Sequence, residues 1–451
     1  MKIIVIGCGT IGKTVIDHIS KERHNTIIID NDKDVVEKLI EKYDVMGVVG
    51  NGASLEIQEE ANVKNADLVI AVSSDDEINI LACLVAKKLG AKSTIARVRN
   101  PEYRRQSVLM KEELGLSMIV NPEEETATEI TNMINLPTIS KIEHFAKGLV
   151  NLVEIVIEKD NPLIGETLIS MNKKINTKVL ICAVERGNEV IIPSGNFKLQ
   201  EGDRINFTAE SSSLRSFLRE LNLIKSPLKK IMIIGGGKTG YYLANNLSKN
   251  RYKVRLIEVN KDKANDLAEK LPNVSVIYAD GTKHGILLEE GIETSDAFVA
   301  LTNVDEENII VSLFANKLNV RKVITKIKRD TLLGMTDDLG IENIVMPKEV
   351  VANKIVSYVR AIANKRGSNV ITLYRLVNNQ IEALEFLAKK KEKFYNKPLK
   401  DLKVKENCLI ACIIREGVVI IPNGNDYIQL NDSVIVVTTH KNFDDLADAF
   451  E

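Results

Sequence analysis

Tryptophan is absent from this chain of 451 residues, and aromatic residues make up only 4% of it. Its cores must therefore be built from Ile, Val and Leu. Cysteine is scarce: Cys8, Cys83, Cys182, Cys408 and Cys412 form no CxxC pair. An odd, scattered set argues against a disulfide framework and fits a reducing compartment, with most thiols buried as small apolar groups. Neither sign of charge is in surplus, the net charge being −1 with 27% charged residues. That balance argues against nucleic acid or anionic lipid as a partner. No apolar run approaches the roughly 20 residues of a membrane helix. The first residues read directly as a strand, with no basic region, apolar run and cleavage site of a secretory leader, so a soluble chain is expected.

The five histidines, His18, His24, His144, His284 and His440, recur at no common spacing. His284 follows a strand-end turn and is able to touch an adenine edge, but a solvated loop histidine is the expectation for all five. No Ser-His-Asp order, Cys-His pairing or HExxH set stands out, so no catalytic residue and no metal ligand is expected.

What is present begins at Ile3. Ile3-Ile4-Val5-Ile6 reads as a buried strand, Gly7-Cys8-Gly9-Thr10-Ile11-Gly12 as a turn into a helix, and Thr26 to Asp30 as a second strand ending in a carboxylate. Gly7 permits the tight turn, Gly9 lets a pyrophosphate approach the backbone, and Gly12 lets helix and strand pack closely. The helix N-terminus then faces the phosphates. Asp30 can accept hydrogen bonds from ribose hydroxyls. A lone GxGxxG carries little weight; strand, helix and distal acid in register carry much more. Further strands at 45–50, 68–72, 94–98 and 117–120, with helices between, predict a parallel, doubly wound sheet. Ser73-Ser74-Asp75-Asp76 is expected to cap the helix after the fourth strand, with Ser at the N-cap. From Leu149 the pattern changes to short strands (152–157, 179–184, 190–192, 204–208) and a closing helix over 211–221, a small α+β module.

Then the chain starts again. Ile231 to Ile234 is followed by Gly235-Gly236-Gly237-Lys238-Thr239-Gly240, a helix, and a strand ending in Glu258. Gly7 and Gly235 lie 228 apart, as do Asp30 and Glu258; Gly52 and Gly281, Asp67 and Asp296, and Asn79 and Asn308 each lie 229 apart. Ile192-Pro193-Ser194-Gly195-Asn196 answers Ile421-Pro422-Asn423-Gly424-Asn425 in the small modules. The whole unit occurs twice.

Polar residues fall where a nucleotide would reach them, at the carboxyl ends of the strands. Ser73 and Ser74 follow the fourth strand, with Thr302 and Asn303 as partners; Asn51 follows the third, with Asp280 as partner. Arg97 ends the fifth strand and suits phosphate or a salt bridge equally; Lys326 takes its place in the second copy. Lys238 either touches phosphate or is a solvated loop lysine, since GGGKTG lacks P-loop spacing. Asp30 and Glu258 would repel a 2′-phosphate, so NAD or NADH is preferred over NADP, while ATP and ADP share the adenosine half and stay open.

These motifs resemble the TrkA family, peripheral regulatory subunits of Trk potassium-uptake systems. The resemblance rests on Gly7 to Gly12 with Asp30, Asn51-Gly52, the run Ala71 to Glu77 through Asn79, and Ile95 to Arg99. In the second half it rests on Gly235 to Gly240 with Glu258, and on Ala300 to Asn303 through Asn308. It implies tandem Rossmann-like RCK or KTN domains at 1–135 and 231–360, TrkA-C-like domains at 136–221 and 361–451, and a linker at 222–230. It also implies binding of NAD(H) or adenine nucleotides in both halves, through Gly7 to Ile11, Asp30, Ser73, Ser74, Arg97, Gly235 to Thr239 and Glu258. The expected partners are further copies in a ring, as a tetramer of tandem chains, and a membrane-embedded potassium channel or transporter subunit. The place would be the inner face of the cell membrane. The competing readings are an NAD-dependent oxidoreductase with duplicated active sites and the regulatory domain of a cation antiporter.

Overall fold

A computed structural model describes residues 1–451 except 21–23, 101, 104–106, 136–140, 160, 188, 222, 224–227, 342, 365–369, 377–379, 390–391, 442 and 444. The expected helix break at Leu136-Pro137 and the Ser226-Pro227 part of the linker lie outside the described residues. Contacts gather the chain into two units, residues 1–135 with 228–356 and residues 136–227 with 357–451.

In the first unit, β1 (Lys2–Ile6), α1 (Thr10–Ser20), β2 (Asn25–Asp30), α2 (Lys33–Lys42), β3 (Met46–Val49) and α3 (Leu55–Glu60) form the first winding. β4 (Leu68–Ala71), α4 (Asp76–Leu89), β5 (Ser93–Arg97), β6 (Met118–Val120) and α5 (Pro122–Asn135) follow. The parallel sheet has the order β3-β2-β1-β4-β5-β6. Both of its faces are covered by helices, so its strands need no polar alternation. Ile3, Ile4 and Val5 are accordingly all fully buried. The strand order reverses between β1 and β4, and a ligand crevice opens at the carboxyl ends there.

The second unit holds the small modules. The first comprises β7 (Lys141–Phe145), β8 (Val150–Val156), α6 (Leu168–Lys174), β9 (Val179–Arg186), β10 (Glu189–Ile191), β11 (Arg204–Glu210) and α7 (Leu214–Glu220). Its antiparallel sheet runs β10-β9-β11-β8-β7. The sequence pattern missed β7 and α6, because their surroundings read as crossover and loop.

The second Rossmann half repeats the first: β12 (Lys230–Ile234), α8 (Lys238–Lys249), β13 (Lys253–Glu258), α9 (Lys261–Lys270), β14 (Val274–Tyr278) and α10 (His284–Glu289). It continues with β15 (Ala297–Ala300), α11 (Asp305–Lys317), β16 (Lys322–Lys326), β17 (Ile344–Val345) and α12 (Pro347–Asn364). Its order β14-β13-β12-β15-β16-β17 is that of the first sheet. The last module has β18 (Val370–Leu376), β19 (Ile381–Leu387), β20 (Cys408–Arg415), β21 (Val418–Ile420) and β22 (Ser433–Thr438), ordered β18-β19-β22-β20-β21.

The repeats pair with each other. In the first unit, Ala127, Ile130 and Ile134 of α5 join a core with Leu243 and Leu247 of α8, so a helix of the first half completes the second. Tyr252 donates to Asn135 Oδ1 at 2.7 Å, and His18 of α1 meets Glu349 of α12 at 3.2 Å. In the second unit, the two sheets share a core that includes Phe145, Cys182, Ala183, Leu376, Ala411 and Cys412. Phe145 and Tyr374 meet edge to face at 4.9 Å, and Thr208 Oγ1 donates to the Ala411 carbonyl at 3.0 Å. Four of the five cysteines are buried and Cys408 is partly so.

Each module is pinned by the same ion pair, a buried acid held by a partly exposed arginine. Arg186 grips Asp203 with two bonds of 2.7 Å, and Asp203 also accepts the Gln200 N–H at 2.8 Å. Arg415 and Asp432 repeat this at 3.0 and 2.9 Å, with the Gln429 N–H at 2.7 Å. Both acids are about 1% exposed. Removing the acid would strand backbone and guanidinium donors. Asp203→Ala and Asp432→Ala are each expected to lower stability by about 3 kcal/mol, read from urea unfolding, with nucleotide binding unchanged.

Candidate nucleotide sites

The glycine turns are forced by proximity. Gly7 has φ +88°, and a Cβ there would lie 2.5 Å from the Ser73 backbone nitrogen. Gly235 has φ +95° and its Cβ would lie 2.7 Å from the Leu301 carbonyl. A Cβ on Gly12 would meet the Gly7 carbonyl at 2.0 Å, and one on Gly240 the Gly235 carbonyl at 2.2 Å. Gly9 and Gly237 differ: nothing lies within 4 Å of their Cβ positions, which face open space. That openness is what a close backbone approach by pyrophosphate requires.

The distal acids hold the turns from behind. Asp30 Oδ2 accepts the Cys8 N–H at 2.6 Å, and Oδ1 the Asp32 N–H at 3.0 Å. Glu258 Oε2 accepts the Gly236 N–H at 2.8 Å, and Oε1 the Asn260 N–H at 2.9 Å. Each carboxylate oxygen retains a lone pair for a ribose hydroxyl. Glu258, one methylene longer, is only 6% exposed and carries Lys263 at 3.4 Å. Val35 occupies the position in the first half that corresponds to Lys263. The Cys8 thiol is pushed up to about 12 by burial and by Asp30, so it stays neutral.

The loops after β4 and β15 are held by residues that sequence reasoning used only for register. Asn79, fully buried, accepts the Ser73 N–H and Oγ–H at 2.8 Å and donates to the Ser73 and Arg97 carbonyls at 3.1 and 3.0 Å. Asn308 makes the matching bonds to the Thr302 N–H at 2.9 Å and to the Thr302 and Lys326 carbonyls at 3.2 and 3.0 Å. An asparagine recurring at 229 on the apolar face of a helix was the available signal. The expected serine cap is corrected here: Asp75 is the N-cap of α4 and accepts the Ile78 N–H at 2.8 Å, because Asn79 draws Ser73 inward. Val304, with no side-chain cap bond, stands at the N-cap of α11.

A cavity of about 810 Å³ lies over the first turn, and the structure brings Gly7, Cys8, Gly9, Thr10, Ile11, Asp30, Asn51, Ser73, Ser74 and Arg97 to it. Gly12 lies behind, against the Gly7 carbonyl. A second cavity of about 950 Å³ is lined by Gly235, Gly237, Lys238, Thr239, Glu258, Asp280, Thr302, Asn303 and Lys326. Gly236 opens instead on a cleft of about 200 Å³ beside Tyr241 and Lys270, and Gly240 lies behind like Gly12. Asn51 and Asp280 are engaged in turns, accepting the Ala53 N–H at 3.0 Å and the Thr282 N–H at 3.0 Å. Hydrogen bonds from Thr282 hold the Asp280 carboxyl below its usual range. Arg97 Nη1 donates to the Ser73 carbonyl at 2.9 Å, and burial lowers its guanidinium.

The larger cavity is shared between the halves: Thr10, Ile11, Arg97, Arg99 and Glu123 reach it from the first. Lys263, Lys328, Arg329 and Lys348 add cations that the sequence pattern did not single out. Among the described residues no histidine lines either cavity. His284 stacks on Phe314 at 4.0 Å and His440 on Phe443 at 5.8 Å. His18 and His24 are half-buried.

Two open-sheet cavities, each with a glycine turn, a distal acid and a strand-end cation, define a tandem Rossmann-type protein with two candidate nucleotide sites. The TrkA-N domain model matches residues 3–122 and 231–347, and the TrkA-C domain model matches 152–222 and 383–451. The chain belongs to the TrkA family. It is 31% identical to the Trk system potassium uptake protein TrkA homolog 1 of Methanosarcina mazei, over 97% of each chain. It is 30% identical to the Trk system potassium uptake protein TrkA of Vibrio alginolyticus, over 98% of this chain and 97% of that one. The fold is similar to that of the GsuK channel bound to NAD, with TM-score 0.64 and 18% identity, over 97% of this chain and 76% of that one.

The glycines separate fold from binding. Gly12→Ala is expected to lower stability by about 1–3 kcal/mol, because backbone cannot yield to the added methyl. Gly9→Leu is expected to leave the urea midpoint unchanged and to abolish NADH binding at the first site, followed by calorimetry.

Proposed function

We propose that the chain is a nucleotide-sensing regulatory subunit of a potassium-uptake system. NAD(H) or an adenine nucleotide occupies each Rossmann cavity as a signal. The observation that carries this is the doubled site: two similar cavities, paired within one unit, one of which is walled by residues of both halves. A ligand that binds there changes the contact between halves only through unequal affinity for their alternative arrangements. Its family and the potassium-uptake names of its relatives support the potassium system, and the NAD-bound fold neighbour supports the ligand.

In the first site, Gly7 to Ile11 would cradle the pyrophosphate, Asp30 the adenosine ribose, Asn51 the adenine edge, and Ser73, Ser74 and Arg97 the phosphate side. In the second, Gly235 to Thr239, Glu258, Asp280, Thr302, Asn303 and Lys326 take those parts. Gly12 and Gly240 act through helix packing. The partner would be a membrane-embedded potassium channel or transporter subunit, with several tandem chains assembled beneath it at the cytoplasmic face. No helix among the described residues is long and apolar enough to cross a membrane. No bond is made or broken in this role. The buried, neutral Cys8 thiol, and the lack of any histidine in either cavity among the described residues, favour it over an oxidoreductase.

Asp30→Ala and Glu258→Ala are each expected to weaken NADH binding at their own site by about tenfold or more, the worth of one charge-assisted hydrogen bond. Both should change potassium uptake in cells whose own copy is replaced. Weakened binding with unchanged flux in both strains would remove the regulatory role, and NADH oxidation with small carbonyl substrates would favour the enzyme.

A further inference from the structure

Among the matched positions at which the two cavities differ, one is a strand-end cation. Arg97 ends β5, and Lys326 ends β16 229 residues later. Each donates to a carbonyl at the neighbouring strand end, Arg97 to Ser73 and Lys326 Nζ to Leu301, both at 2.9 Å. Arginine keeps its charge in any such setting; a buried lysine does not.

Lys326 is 6% exposed, lines the shared cavity, and among the described residues has no carboxylate at ion-pair distance. The charges facing it come from four places: Lys328 just past β16, Asp305 at the start of α11, Lys263 on α9, and Glu123 on α5 of the first half. Two attract and two repel. Each acid holds other groups through one oxygen only; the second oxygens, Asp305 Oδ1 and Glu123 Oε2, are buried with no hydrogen-bond partner among the described residues. Asp305 Oδ2 accepts the Lys328 and Arg329 N–H groups at 3.0 and 3.1 Å, and Glu123 Oε1 accepts Arg99 Nε at 2.8 Å. Burial therefore dominates and pushes the Lys326 ammonium down to about 8.

We propose that Lys326 makes the second cavity a proton-linked phosphate site, in which nucleotide and proton bind together, whereas Arg97 leaves the first indifferent to pH. This rests on the second cavity being a nucleotide site. A phosphate oxygen would supply the counter-charge that Lys326 lacks, and so would favour the ammonium form. Below pH 8 the ammonium is present before binding and affinity is flat. Above it, each ligand must arrive with a proton, and affinity falls by up to about tenfold per pH unit until the bound form itself titrates.

The test uses full-length chain, with NADH and ADP as probes and calorimetry between pH 7 and 9. Gly9→Leu isolates the second site and Gly237→Leu the first. The expected result is about tenfold weaker binding at pH 9 than at pH 7 in the Gly9→Leu protein, and no change in the Gly237→Leu protein. Proton uptake, read from the dependence of binding heat on buffer ionisation enthalpy, should appear only at the second site. In a Gly9→Leu/Lys326→Arg protein both effects should vanish while binding persists, arginine being the residue at the matched position of the first half. Affinity in the Gly9→Leu protein that is independent of pH, or a fall with pH that survives Lys326→Arg, would overturn the proton linkage alone. Absence of second-site binding by either probe at every pH would instead overturn the second site, and the proposal with it.

Discussion

Each glycine turn runs so close to the neighbouring strand end that no side chain fits between them. That closeness, 2.5 Å from the Gly7 Cβ position to the Ser73 nitrogen, fixes much of what surrounds it. It places the first residue of the loop after β4 at the mouth of the crevice. It leaves Gly9 as the point of the turn open to a ligand. It also requires the turn to be braced from the far side, which Asp30 does through the Cys8 N–H. The same three relations hold at Gly235, Gly237 and Glu258. A site of this kind is a backbone construction first, to which side chains add selectivity.

Much of this was legible in the sequence because backbone demands leave marks. A glycine needed for φ above zero, an acid at a strand end, and runs of Ile and Val buried on both faces can be read without coordinates. The 228–229 spacing made the duplication plain for the same reason. What stayed hidden depends on partners far apart in the chain. Asn79 and Asn308 looked like helix residues in register, yet they tie two strand ends together. Ser73 looked like a cap, and Asp75 is the cap. Lys263 and Lys328 carried no mark in the sequence and stand at the wall of the larger cavity. The pairing of halves was also hidden, because Ala127, Ile130 and Ile134 bear the same apolar stripe whichever sheet they cover.

The same division explains why the two sites are alike in shape and unlike in charge. Their geometry is set by glycines and by Asn79 and Asn308, where change is costly. Their electrostatics is set by side chains that differ between the two copies: Thr10 against Lys238, Val35 against Lys263, Arg97 against Lys326. The second half thus gains two cations and carries a lysine at the strand end where the first half has an arginine, although Arg97 and Arg99 also reach the second cavity. Selectivity between nucleotides would reside in these pairs.

Covalent joining of the halves has a consequence for how such a protein can evolve. In a symmetric dimer of single-copy chains every substitution appears twice, once on each side of the axis. An arginine on one face then forces an arginine on the other. Within this chain the counterpart of β5 is β16, encoded separately, so each copy answers to its own selection. One strand end can keep a fixed charge while its counterpart takes up a titrating one. A two-input device becomes possible at an interface that began with a single kind of input.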